Sequence, residues 1–176
     1  MGAAAALSVC CAGRVSGGEG GGVKFWLMKS EPQAYSIDDL AGQRGGRDHW
    51  DGIRNYQARN FMRDVMRVGD RAFFYHSSCA EPGVAGIMQI VRAAYPDPTA
   101  HDPRSKYHDR KSDPAAPRWV MVDVKLVKKF QRLVGLAELR AHPRLADMAL
   151  LRRGNRLSIQ PVTAREWKII SALGGA

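Results

Sequence analysis

Trp26, Trp50, Phe74 and Tyr75 are flat aromatic side chains, and each stands within five residues of a hydrogen-bonding group from the set Ser30, Asn55, His76 and Ser77. Together these types can build a slot for a planar heterocycle. Aromatic faces stack on a nucleobase, worth about 1–3 kcal/mol per base, and amide, hydroxyl and imidazole groups read its edge. Lys29, Arg54, Arg59 and Arg156 can hold phosphates around such a slot.

Each residue also has a plainer reading. Trp26 and Trp50 stand equally between pocket wall and core, whereas Trp119 opens a strand and reads as core. Strand alternation turns one of Phe73 and Phe74 inward, and the sequence does not choose between them. Asn55 sits where it would cap a helix. His76 ends a strand, where imidazoles usually serve structure, and the four cations can be ordinary surface charges.

Catalytic patterns are missing. His76 has around it no Ser-His-Asp order, carboxylate pair or Cys-His pairing. The three cysteines, Cys10 and Cys11 adjacent and Cys79 alone, make neither a disulfide framework nor a zinc site, and they point to a reducing compartment. No Gly-rich phosphate loop follows a strand. The expectation is therefore no enzyme, no catalytic residue, no metal and no cofactor. A net charge of +10 favours a polyanionic partner through counterion release, although a solvated surface explains it too. No apolar run reaches the roughly 18 residues of a membrane span, so a soluble chain with no membrane partner is expected.

The elements that must position these groups follow from periodicity. Alternation predicts strands at Val23–Met28, Arg71–His76, Gly83–Tyr95, Trp119–Phe130 and Arg156–Gln160. Gly86 inside the third suggests a bulge or a close backbone approach. Helices are predicted after Ser36, over Asn55–Val65, over Gly135–His142 and Pro143–Leu151, and after Thr163, whose capping-box partner is Glu166. Five prolines between Pro96 and Pro117 make a long loop, with a segment near Tyr107 ordered by packing. Residues 1–22, rich in Gly and Ala, read as a flexible N-terminal extension or a weak presequence, followed by one domain over residues 23–174. The pattern argues for an α+β fold with a small mixed β-barrel of five to six strands flanked by short helices.

Six ordered blocks carry a family resemblance: Trp26–Pro32, Trp50–Phe61, Phe73–Ser77, Gly83–Gly86, Trp119–Val124 and Arg156–Pro161. Across Lys24–Leu173 the chain resembles EVE-domain proteins. The resemblance implies a PUA-like barrel, related to the YTH and ASCH domains, that binds a flipped modified base in DNA, with 5-methylcytosine and its oxidised forms as the leading candidates. On that reading Trp26, Ser30, Trp50, Asn55, Phe74, Tyr75, His76 and Ser77 form the base pocket, and Lys29, Arg54, Arg59 and Arg156 contact the backbone. A PUA-like RNA-binding module is the alternative, and an enzyme acting on modified bases a further one. DNA is expected over RNA, by a monomer. The compartment would be the bacterial cytoplasm near the nucleoid, or the eukaryotic nucleus or an organelle. The basic extension of nuclear vertebrate relatives is not seen, since residues 1–22 hold only Arg14. One methyl group in an apolar slot discriminates by about 1–3 kcal/mol, so a single domain has modest selectivity for it.

Overall fold

The computed structural model describes residues 22–176; the expected flexible extension over residues 1–22 lies almost wholly outside the described residues. Six strands form one mixed sheet: β1 Phe25–Ser30, β2 Arg47–Trp50, β3 Arg71–His76, β4 Gly83–Pro96, β5 Val120–Gly135 and β6 Ile159–Val162. Their order is β2-β5-β4-β3-β1-β6. The β1–β3 pair is parallel and the other pairs are antiparallel. The expected barrel is corrected in one respect, because β2 and β6 are not paired with each other and the sheet stays open. Both edge strands are only four residues long, too short to supply a closing ladder.

The sheet is covered on both faces. Trp26 and Met28 of β1, Phe74 of β3, Met88 and Ile90 of β4 and Val122 and Val124 of β5 form one core. Leu27, Phe73, Tyr75, Val84, Ile87, Phe130 and Val134 form the other. The choice between Phe73 and Phe74 thus resolves as both: each is fully buried, on opposite faces. Strand β5 passes from the first core to the second through several register shifts against β4, which let one long strand bend. Gly86 meets its expectation. The register shifts between Val84 and Gly86, and a Cβ there would fall 2.5 Å from Ile37 Cδ1.

The helices are short, and the caps expected at Ser36 and Thr163 are present. Helix α1 (Ile37–Gly42) starts at Ser36, which forms a capping box with Asp39. Helix α2 (Tyr56–Asn60) continues into a π-helical turn, Phe61–Val65. Helix α3 spans Leu136–Ala141 and is followed by two single 3₁₀ turns rather than a second helix, Pro143 cutting the run. Helix α4 (Ala164–Leu173) opens on the Thr163–Glu166 capping box. It packs Trp167 flat against Phe73 at 4.0 Å between ring centroids. No helix among the described residues is long and apolar enough to cross a membrane.

Strand β2 was not anticipated, because Arg-Asp-His-Trp lacks β-branched residues and alternation; it exists through its pairing with Val122–Lys125 of β5. The last strand begins at Ile159 instead of Arg156. Asn155 draws the preceding residues into a turn by accepting from the Leu157 N–H at 3.0 Å and donating to Gln160 Oε1 at 2.6 Å. That shift matters, since it frees Arg156 and Ser158 to line a cavity.

Candidate nucleic-acid interface

A cavity of about 850 Å³ is walled by residues from both edges of the sheet: Asp48, His49 and Trp50 of β2, and Arg156 and Ser158 ahead of β6. Lys29 and Ser30 at the end of β1, Tyr35 before α1 and Ser77 after β3 extend the wall, and Asp51–Asn55 and Lys106–Tyr107 complete it. The unclosed sheet therefore leaves its two edges to be lined by polar residues. Backbone bonds hold the parts in register. The Lys29 N–H donates to the Ser158 carbonyl and the Ser77 N–H to the Ser30 carbonyl, each at 2.8 Å. The Ser30 hydroxyl donates to the Tyr35 carbonyl at 2.7 Å.

Electrostatics inside the cavity are mixed. The Tyr35 hydroxyl donates to Asp48 Oδ2 at 2.6 Å. Burial first, and then that bond and the Asp48 charge, hold its pKa far above the ordinary phenol range, so it stays a neutral donor. Burial, with the charge of Asp97, pushes the Asp51 carboxyl above its usual range. Asp51 stands 3.8 Å from His49 Nε2. Burial also lowers the pKa of Lys29, whose Nζ sits 6.0 Å from the centroid of the Tyr75 ring.

Behind this wall lies a buried bracket. Asp97 is fully buried and accepts from Arg54 Nη1 at 2.8 Å, the Gly52 N–H at 3.1 Å, and the Thr99 N–H and hydroxyl at 2.8 and 2.6 Å. Burial alone would raise its pKa, but the bonds from Thr99, Arg54 and Gly52 together hold it below the usual carboxylate value. Arg54 also donates from Nε to the Tyr107 carbonyl at 2.6 Å. Gly52, at φ +70°, lets the Tyr107 ring lie directly over its Cα.

Of the expected base contacts, Ser30, Trp50, Asn55 and Ser77 border the cavity. Trp26, Phe74, Tyr75 and His76 do not. Trp26 is buried and donates from Nε1 to Asp70 at 3.0 Å, which fixes its ring in the core. Phe74 and Tyr75 fall into the two cores because the sheet has no solvent face at β3. His76 accepts the Ile37 N–H at Nε2, 3.2 Å away, tying β3 to the first turn of α1. The capping reading of Asn55 holds, its side chain accepting from the Gln57 and Ala58 N–H groups at 2.9 and 3.1 Å at the start of α2, and the residue also borders the cavity. Trp50 is also largely core, edge-on to Phe74 at 5.2 Å.

Among the expected phosphate contacts, Lys29, Arg54 and Arg156 line the cavity. Arg54 is committed to Asp97 and Tyr107, and Arg59 lies outside, bonded to Asn60 and to the Arg118 carbonyl. Tyr35, Asp48, Asp51, Gly52, Lys106 and Tyr107 were not among the contacts expected from sequence, although a segment near Tyr107 was expected to be ordered by packing. Asp51-Gly52 is a turn dipeptide that could have flagged the sharp approach. Nothing local could have placed Tyr107 opposite it.

The Ile37–His76 bond predicts a pH dependence. Burial holds the His76 pKa below the ordinary 6.5; the charge of Asp38 opposes this shift and that of Lys129 adds to it. A depressed imidazole contributes stability that is complete above the unfolded value and lost as pH falls from there through the folded one. Thermal unfolding should thus lose stability as pH drops below about 6.5. His76→Gln should remove that component; an unchanged pH profile in the variant would rule out His76 as its source.

The EVE domain family matches residues 24–173. The chain belongs to the EVE domain family. Human thymocyte nuclear protein 1 is 44% identical over 165 residues, which cover 84% of this chain and 72% of that protein. A solved protein from Pseudomonas syringae is 53% identical, with a TM-score of 0.80 and coverage of 85% of this chain and 98% of the other. The human THYN1 protein, solved in complex with 5-methylcytosine containing DNA, is 43% identical with a TM-score of 0.81, covering 87% of this chain and 98% of that one. The EVE domain described here is thus an α+β, PUA-like domain built on one six-stranded mixed sheet.

Proposed function

We propose that this EVE domain binds DNA and takes up a flipped, modified cytosine, 5-methylcytosine or an oxidised derivative, in the cavity between its sheet edges. The observation that carries the reading is the cavity itself: about 850 Å³, within the range of small-ligand sites, with Trp50, Tyr35 and Tyr107 beside serine, amide and carboxylate groups. The human relative of 43% identity and the same fold, solved with 5-methylcytosine containing DNA, supports the choice of base.

Roles follow from chemistry. Asp51 accepts from the exocyclic amine of the base, as carboxylates do from cytosine N4. Ser30, Ser77 and Asn55 offer further polar contacts, and Tyr107 a stacking face. Lys29, Lys106 and Arg156 neutralise the flanking phosphates. Trp26, Phe74, Tyr75 and His76 support the wall from behind rather than touching the base. The domain binds without cleaving. The human relative solved in complex with DNA supports this binding role. It would act where its DNA lies, in the nucleus of a eukaryote or the nucleoid of a bacterium.

The test is a panel of otherwise identical DNA and RNA oligonucleotides carrying cytosine or its modified forms, at one salt concentration, because a charge of +10 binds any of them non-specifically. Modified DNA should bind tighter than unmodified DNA, and Asp51→Asn should weaken binding of both, because the exocyclic amine it meets is common to marked and unmarked cytosine. Equal affinity for marked and unmarked strands would sink the reading. Preference for the RNA set would move it to the RNA-binding alternative, and free base released on incubation would make the domain an enzyme.

A further inference from the structure

A row of alternating aromatic and guanidinium groups runs from the cavity wall to the surface. It begins at Tyr107, which lines the cavity, and continues to the Arg54 guanidinium, 5.6 Å from the Tyr107 ring and 5.5 Å from that of Trp119. The Trp119 ring lies 5.0 Å from Tyr56, and the Arg59 guanidinium is 5.0 Å from Tyr56 and 6.0 Å from Trp119. Every member but the last is held. Trp119 is buried and donates from Nε1 to Asp109 at 2.7 Å. Arg54 is locked on Asp97, and Arg59 spends its donors on Asn60 and the Arg118 carbonyl.

Tyr56 ends the row and is 53% exposed, the largest exposed apolar side chain among the described residues. It directly follows Asn55, which borders the cavity, and it is the first residue of α2. An exposed ring costs solvation, and folding gains little from leaving it there. A tyrosine braced by a cation and an indole is pre-organised to stack on a second flat group at small entropic cost. Because Tyr56 follows Asn55 directly in the chain, one nucleic-acid strand entering the cavity passes beside it.

We propose that Tyr56 is a stacking platform for the nucleobase adjacent to the one in the cavity, so that the domain engages two consecutive unpaired bases of one strand. The inference rests on the reading of the cavity as a base site. It adds the strand state: the preferred target is single-stranded or locally opened rather than an intact duplex. Arg59, fixed under the ring, adds positive potential where the connecting phosphate passes.

The experiment compares wild type, Tyr56→Ala and Tyr56→Trp on three probes. These are the monophosphate of 5-methyldeoxycytidine, a single-stranded oligonucleotide with one central 5-methylcytosine, and the same strand in duplex. Tyr56→Ala should bind the oligonucleotide about tenfold more weakly, as expected for the loss of one stacked base, and the monophosphate as wild type does. Tyr56→Trp should restore oligonucleotide binding, and wild type should prefer the single strand. With 2-aminopurine beside the modified base, binding should quench its fluorescence in wild type and in Tyr56→Trp but not in Tyr56→Ala. Should wild type discriminate the modified base while Tyr56→Ala binds and quenches equally, the platform is overturned and the cavity reading stands. Should wild type bind marked and unmarked strands alike, the cavity reading falls and the platform with it. Equal loss of monophosphate and oligonucleotide binding in Tyr56→Ala would show that the ring acts on the cavity and would also overturn the platform.

Discussion

Asp97→Ala should destabilise the domain by about 3–5 kcal/mol, the cost of leaving a buried partner charge unpaired. The side chain of Asp97 is fully buried, and that of Arg54 is 21% exposed. Removing the carboxylate orphans the Gly52 N–H and the Thr99 N–H and takes the counter-charge from Arg54, whose Nη1 keeps only the Ile53 carbonyl. For a domain of this size about 1 kcal/mol corresponds to roughly 2–4 °C in Tm, so calorimetry should find a fall of roughly 6–20 °C. Asp97→Asn keeps the shape and loses the charge, and it should fall between the two. Wild-type stability in Asp97→Asn would show that the bracket is held by shape and neutral hydrogen bonds alone. Acid should act in the same direction. Because the folded pKa lies below the unfolded one, the contribution of Asp97 is complete above an unfolded value of about 3.9. It is lost as pH falls from there through the folded pKa, a window separate from that of His76.

Gly52→Ala should abolish base-dependent binding with a smaller loss of stability. The backbone at φ +70° disfavours any side chain by about 1–2 kcal/mol, and the new Cβ would sit 2.6 Å from Tyr107 ring carbons. The ring must leave, and it takes with it a wall of the cavity. Affinity for a modified oligonucleotide should drop at least about tenfold if one stacking contact is lost, while Tyr107 ring signals shift in NMR spectra. The double variant Gly52→Ala/Tyr107→Ala distinguishes clash from strain. It should recover the part of the stability lost to the clash, with no recovery of binding. If Gly52→Ala alone binds as wild type does, Tyr107 has no part in the site. Trp50→Ala cannot serve this purpose, since Trp50 packs edge-on against Phe74 and its loss would be read first as unfolding.

Much of the fold was legible because its signals are local. Strand β3 begins and ends where the aromatic-rich run Arg71–His76 after the Gly69-Asp70 turn placed it. The Thr163–Glu166 box starts α4 as the capping pattern required. Gly86 marks the close approach that a glycine inside a long strand implies. Strand β2 escaped notice because only its pairing with β5 makes Arg47–Trp50 extended. The open sheet escaped notice as well, since closure depends on whether two edges meet and not on the character of either strand.

The candidate site divides in the same way. Residue types and the six motif blocks were enough to identify the EVE domain, its PUA-like class and the stretches of chain that carry polar and aromatic groups. They could not say which ring faces which side, because Phe73, Phe74 and Tyr75 sit on a sheet packed on both faces, where alternation separates two interiors rather than inside from outside. Nor could they bring Tyr107 to Gly52, or Asp97 to Arg54, pairs separated by more than forty residues whose meeting depends on a loop folding back over the β2 turn. Sequence alone determined the family, most of the elements and the stock of side chains able to hold a base. Tertiary structure decided which of them line the cavity, because that depends on long-range packing that no local pattern encodes.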